Sequence, residues 1–277
     1  KAQGWNVVTV LNNDIIGDSC SSDGFCDDKH VRVLSEGPRV QGQAELAAQT
    51  HSLGGENDAP SRNISRYLDS LADRLNIGLD VTQIWRTDRF SRGGDHIPFL
   101  EMGYPAARIS VAVENYDWQH QDLRTENGKV YGDTIDHMDF PYLEKVTKLN
   151  VAALAGIASA PPPPEPKVEG GVSTDTMIWW RPVAGVSQYI LRWRPTDASA
   201  WEKSLKVGPE GFVAIGCRIP GCDPREGESY GAKLQHVRVD DWVFGVSSVS
   251  KDGFESPVAS AVPGGAFKPY VAPPKQP

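Results

Sequence analysis

Apolar positions along the first 160 residues follow two rhythms. Val7, Val8, Val10 and Leu11 run on without strict alternation, as β-branched residues do in a strand covered on both faces. "HVRVLSE", "LDVTQIW" and "AARISVAV" read as three further strands. Between them, "VQGQAELAAQTHSL" and "SRNISRYLDSLADRLN" place apolar residues three and four apart, the second opening after Pro60-Ser61 as a capped helix does. "FPYLEKVTKLNVAALAGIAS" is a long amphipathic helix with Asp139 at its N-cap. Strands separated by helices predict an α/β half, a partial and mostly parallel sheet flanked by helices.

The rhythm breaks at "ASAPPPPEPKVEGG", residues 158–171. Four consecutive prolines favour an extended spacer, which predicts a linker at 160–167 between a unit at 1–159 and another at 168–263. After it come only short strands: "TMIWW", "QYILRWR", "WEKSLKV", "FVAIG", "HVRV" and "WVFGVSSVS". Gly, Pro and Asp separate them at intervals of about ten residues, the pattern of an all-β sandwich. "QYILRWR" resembles the third strand of a fibronectin type III domain and "DDWVFGVSSVSKDGFESP" its last hairpin, so the second half is expected to be a fibronectin type III-like sandwich. Trp179, Trp180 and Trp193 are assigned to its core. Residues 264–277, "GGAFKPYVAPPKQP", form a Gly/Pro-rich tail.

Composition narrows the partners. The 277 residues are 39% hydrophobic and 23% charged, which supports a packed core and excludes wholesale disorder. Thirty-six acids against 28 bases give a net charge of −8, and no block of Lys or Arg stands out. That balance argues against nucleic acid or an anionic membrane as the main partner. No stretch approaches the roughly 18 to 20 apolar residues that span a bilayer. The chain opens without a signal peptide or an initiator Met, so an upstream segment is expected to have been removed or left out. The four cysteines form two close pairs, Cys20 with Cys26 and Cys217 with Cys222. Two local disulfides in an exported protein are expected, because a four-cysteine zinc site would ask for Cys-x2-Cys spacings instead.

Candidate chemistry gathers at strand ends. Asn12, Asn13 and Asp14 stand at the carboxyl end of the first strand, the edge where open α/β sheets bind ligands. The strand from Arg108 to Val113 likewise runs into Glu114, Tyr116, His120 and Asp122. A carboxylate and an imidazole at two such ends make a ligand set that zinc accepts. Asp95 and His96 either orient a substrate or support a ligand, or else cap the helix that begins near Pro98. Glu114 either faces the cleft or pairs with Arg86, Arg89 or Arg92 in "RTDRFSRGG", a basic loop that either holds a substrate carboxylate or is simply solvated. Tyr116 either donates to a developing oxyanion or packs as an aromatic; His137 is assigned to the surface.

Taken together, "LNNDIIG", "DHIPFLEMGYPA" and "YDWQHQD" resemble motifs of the co-catalytic, two-zinc aminopeptidases, of the secreted bacterial type that carries a C-terminal fibronectin type III-like domain. The resemblance covers roughly residues 1–160. It implies two zinc ions, with Asp14 and His120 each a ligand to a different one, and hydrolysis of the N-terminal bond of a peptide substrate. The same scaffold also serves carboxypeptidases and glutaminyl cyclases, and a non-catalytic binding protein or inactive fragment is the alternative from another class. Family members carry a His-x-Asp pair and a Glu-Glu pair upstream of the "LNND" strand, and neither stands before it here. The resemblance therefore implies that the general-base Glu lies upstream, that this chain holds no catalytic residue of its own, and that the N-terminal part of the same protein is a partner.

Overall fold

The computed structural model describes residues 3–5, 7–37, 44–208 and 229–261. In the first half the elements run β1 (Val10–Asn13), β2 (His30–Ser35), α1 (Ala44–Ser52), α2 (Pro60–Arg74), β3 (Asp80–Ile84), α3 (Ile97–Glu101), β4 (Ala106–Val111), the hairpin strands β5 (Arg124–Glu126) and β6 (Lys129–Tyr131), and α4 (Phe140–Ser159). Helix α4 begins where the sequence predicts, because the Asp139 carboxylate accepts a hydrogen bond from the Tyr142 N–H and satisfies one of the free amides of the first turn. Only the later part of "VQGQAELAAQTHSL" lies among the described residues.

The sheet has the order β1-β4-β2-β3. It is mixed, with two parallel pairings and one antiparallel: β1 pairs parallel with β4 and β2 with β3, but β2 runs antiparallel to β4. The cause is in the connections. A parallel crossover needs a dozen or more residues of return path, usually a helix. The β1–β2 link carries a small disulfide loop closed by Cys20–Cys26, and the β3–β4 link carries only the five-residue α3. Neither brings the chain back along the sheet, so each following strand starts at the edge where the previous one stopped.

Helices α2 and α4 cover the same face. Val31, Val33, Ala107, Ile109 and Val111 meet Leu68, Leu71, Tyr142, Val146 and Leu149 in one apolar core. The opposite face carries no long helix among the described residues; the segment from Trp85 to α3 lies over it, with Asp88 and His96 bonded to the strands. The first strand also departs from expectation. Pairing starts at Val10, β1 is half-buried, and Val8 is exposed, because β1 has a described neighbour on one side only.

The second half holds β7 (Lys167–Glu169), β8 (Thr176–Trp180), β9 (Gln188–Pro195), β10 (Lys203–Val207), β11 (Tyr230–Leu234), β12 (Trp242–Val249) and β13 (Ala259–Ala261). Two antiparallel sheets, β10-β9-β12-β13 and β11-β8-β7, share a core of Val168, Ile178 and Trp180 against Leu191, Phe244 and Val246. Trp179 is also buried, and Trp193 packs on the core's margin. "HVRV" is a turn instead of a strand: the Asp175 carboxylate takes the His236 N–H, and the Thr176 hydroxyl donates to the Val237 carbonyl. The strand that does form, "YGAKL", is masked in the sequence by its small residues.

Of the two disulfides expected from the sequence, the described residues contain one, Cys20–Cys26. Cys217 and Cys222, the second expected pair, lie outside the described residues, as do "FVAIG" and the tail at 264–277.

The two halves touch. Arg194 Nη2 lies 2.6 Å from Asp58 Oδ2 with both side chains buried, and Asp58 Oδ1 accepts from the Ser260 hydroxyl at 2.8 Å. Arg66 Nε donates to the Ser199 carbonyl at 2.6 Å. The proline run roofs a cavity of about 340 Å³ floored by Pro60, Ile64 and Val258.

Candidate functional site

Strand β1 delivers Asp14 to its place by continuing its pairing one residue further: the Asp14 N–H donates to the Ile109 carbonyl at 3.1 Å. Ile15 then turns with φ 52°, a left-handed conformation that a β-branched residue seldom adopts. The turn is held because the Ile15 carbonyl accepts from the Val111 N–H at 2.9 Å. In this position Asp14 Oδ2 lies 3.0 Å from Arg108 Nη2, and the Asp14 side chain remains 43% exposed.

Arg108 opens a run of alternating charges. On β4 the period-2 pleat sends Ala107, Ile109 and Val111 to the apolar core and Arg108 and Ser110 to the other face. The Arg108 side chain is 0% exposed, and its Nη1 lies 3.2 and 3.1 Å from the two oxygens of Asp88. Asp88 Oδ1 is 3.5 Å from Arg89 Nε, and Arg89 Nη1 donates to Glu114 Oε2 at 3.0 Å. Arg92 Nη1 reaches the same oxygen at 3.2 Å, Gln119 Nε2 at 3.3 Å, and Arg32 Nη2 takes Oε1 at 2.6 Å. The ladder thus runs Asp14, Arg108, Asp88, Arg89, Glu114, Arg92. Burial pushes the Glu114 carboxyl up, but hydrogen bonds from Arg32, Gln119 and Arg89 outweigh it and hold the group below the ordinary carboxylate range.

His96 supports this ladder from below. It is fully buried, and its Nε2 lies 2.7 Å from the Thr87 carbonyl, which only accepts; Nε2 therefore carries the proton, and Nδ1 accepts from Asn12 Nδ2 at 3.4 Å. Its backbone is the N-cap of α3, without any side-chain cap, so the capping role read for Asp95 and His96 is not taken. Asp95 is exposed and makes no polar side-chain contact among the described residues. Gly94 leaves room for the Arg108–Asp88 pair: a Cβ there would stand 2.9 Å from Arg108 Nη1 and 3.0 Å from Asp88 Oδ2, so these buried side chains would have to shift.

Beyond β4, Tyr116 is exposed, with its ring 5.4 Å from the Arg92 guanidinium. His120 follows in the same turn region, exposed and with φ 58°, and no polar contact joins it to Asp14 among the described residues. His137 is half-buried, not a free surface group; its ring stacks on Trp118 with 3.8 Å between centroids. A cavity of about 80 Å³ separates these loops, lined by Ile15, Asp18, Glu114, Trp118 and His137.

Arg108, Asp88 and Arg32 escape the sequence reading. One signal was available: a lone Arg at an alternate position within the apolar strand "AARISVAV" marks a face that buries a charge, and a buried charge needs a partner.

The chain resembles fungal proteins named probable zinc metalloproteases. It is 38% identical over 268 residues to one from Leptosphaeria maculans, a match that covers 95% of this chain and 58% of the relative. Identity is 37% to one from Pyrenophora tritici-repentis, covering 95% of this chain and 52% of that protein, and 36% to one from Pyricularia oryzae, covering 94% and 50%. The chain therefore spans about half the length of the curated relatives it matches. No protein-family model matches it.

The described residues by themselves do not fit a catalytic zinc centre. Among them no three His, Cys, Asp or Glu side chains gather where they would hold a metal ion, and such a centre takes three protein ligands and an open position. Asp14 offers one oxygen beyond its contact with Arg108; His120 offers a free imidazole.

Proposed function

We propose that this chain is part of a zinc-dependent exopeptidase of the aminopeptidase type, and that it supplies Asp14 and His120 to a centre completed by polypeptide outside these 277 residues. The names carried by its relatives support the zinc peptidase reading, and their greater length supports completion from outside. The observation that carries the assignment of residues is topological. β1 and β4 are parallel neighbours, so Asp14 and the loop bearing His120 both leave the sheet at its carboxyl edge. The open side of β1 is where added strands would pair, and the exposed Phe140, Val151 and Leu154 on α4 offer apolar surface for a covering element.

Arg108 would hold Asp14 in its orientation while one oxygen stays free, and His96 would fix the strand end through Asn12. Zinc, when bound, would supply an acidified water and a polarised carbonyl. The second half is a fibronectin type III-like accessory unit on this reading, supported by its two antiparallel sheets on one core. The Cys20–Cys26 bridge supports an oxidising, extracellular setting.

The test is metal analysis and hydrolysis by the protein made at its relatives' full length. Two zinc ions per molecule and cleavage of peptides with a free amine, but not of N-acetylated ones, are expected; Asp14→Ala should lose zinc and activity together. Cleavage from the carboxyl end, or full zinc content in Asp14→Ala, overturns the assignment.

A further inference from the structure

The far end of the charge ladder is built differently from the end at Asp14. Three guanidiniums, from Arg32, Arg89 and Arg92, converge on the single carboxylate of Glu114, which is 3% exposed. One anion cannot balance three cations. The other acid in contact, Asp88, is shared between the fully buried Arg108 and the Arg89 Nε at 3.5 Å, which leaves Arg92 with Glu114 as its one carboxylate partner among the described residues. Glu114 Oε2 has donors from Arg89, Arg92 and Gln119, so its acceptor capacity is filled while further N–H groups of Arg89 and Arg92 stay unused among the described residues. Arg92 is 44% exposed and rests against the exposed ring of Tyr116, so this excess of positive charge faces solvent at one spot, beside the loop of His120. The chain as a whole has a net charge of −8, which makes a local cationic excess of this kind a focused feature.

We propose that Arg92 and Arg89, set by Glu114 and flanked by Tyr116, form a subsite for the α-carboxylate of the substrate. The guanidinium fork matches a carboxylate in two parallel hydrogen bonds, a geometry that an ammonium group cannot offer. Glu114 acts as the positioning residue: it aligns the forks and lowers their mutual repulsion without neutralising them. Asp14 stands at the opposite end of the same ladder, already paired with Arg108, and the substrate class this subsite selects is a short peptide with a free carboxyl terminus. This inference rests on the peptidase reading for its place in catalysis, though not for the binding of the carboxylate itself.

Two measurements on the full-length protein separate the possibilities. The first compares KM and kcat for a tripeptide acid, its C-terminal amide, and an amide carrying a Glu side chain. One charge-assisted pair at a partly exposed site corresponds to about tenfold in affinity, so the acid should show a KM about tenfold below that of the plain amide at similar kcat. In Arg92→Gln that acid-to-amide ratio should fall to near one, with Arg92→Lys in between, while Arg86→Gln, whose guanidinium stacks on Phe90 outside the cluster, should keep it. Equal KM values for acid and amide, or a Glu-bearing amide that binds as well as the acid, overturn the terminal assignment. The second measurement titrates N-acetylglycine and N-acetylglycinamide calorimetrically. Binding of the acid alone, lost in Arg92→Gln, upholds the subsite even in a protein that cleaves no peptide, in which case the peptidase reading is what fails. Peptide cleavage without any such binding leaves the peptidase reading standing and overturns the subsite.

Discussion

The two faces of β4 are built from alternate residues of one short strand and are stabilised by opposite physics. On one side Ala107, Ile109 and Val111 are buried against α2 and α4; on the other Arg108 is just as buried, against Asp88 and Asp14. The apolar face draws on area removed from water and is forgiving of small changes in shape. The ionic face is close to neutral as a complete set and costly when incomplete, because a charge in a dry site that loses its partner keeps its whole desolvation penalty. Stability alone does not call for such a face. What it does fix is the orientation of Asp14 at one end and of Arg92 at the other.

Removing the central cation should separate the two faces most clearly. Arg108→Met should cost about 3–5 kcal/mol in urea unfolding, since it strands Asp88, and adding Asp88→Leu should recover part of the loss. Ile109→Ala, one residue along on the apolar face, should cost about 2–5 kcal/mol, with no second substitution on the ladder able to recover any of it.

Acid should distinguish the faces without mutation. The Glu114 carboxyl is held below its ordinary value of about 4.3, so its contribution is present above that value and is lost as pH falls through the lower folded-state pKa. Unfolding midpoints measured from about pH 5 downward should therefore drop less steeply in Glu114→Gln than in the parent chain. The smallest effect is expected at the start of α4, on the apolar side of the sheet. Asp139 caps α4 and also accepts from the Ser19 hydroxyl at 2.6 Å in the loop after β1, and Asp139→Ala should cost about 1 kcal/mol. A cost near zero would mean that the cap is replaced by water.

Local features were readable from the residues alone. The periodicity of "FPYLEKVTKLNVAALAGIAS" together with Asp139 defined α4 at both ends, and the β-branched runs located β2, β3 and β4, because a helix cap and a pleat are settled by residues within a few positions of one another. The proline run and the change of rhythm after it lie between the mixed sheet with its helices and the two antiparallel sheets. The Cys20–Cys26 bridge was legible for the same reason, being closed within one short loop. Strand direction was not legible. It depended on whether each connection returned along the sheet, and the five residues of α3 do not say so until their place is known. Of the ladder, only the pairing of Glu114 with Arg89 and Arg92 was among the sequence's readings; Asp14, Arg108 and Asp88 are far apart in the chain and meet because β1 and β4 pair in one register and the segment from Trp85 folds over them. The sequence supplied Arg89 and Arg92 as a basic loop with two readings. What tertiary structure added is the anchor: it brings Glu114 from the next strand end against that loop, and a fixed counter-charge orients arginines that would otherwise be mobile.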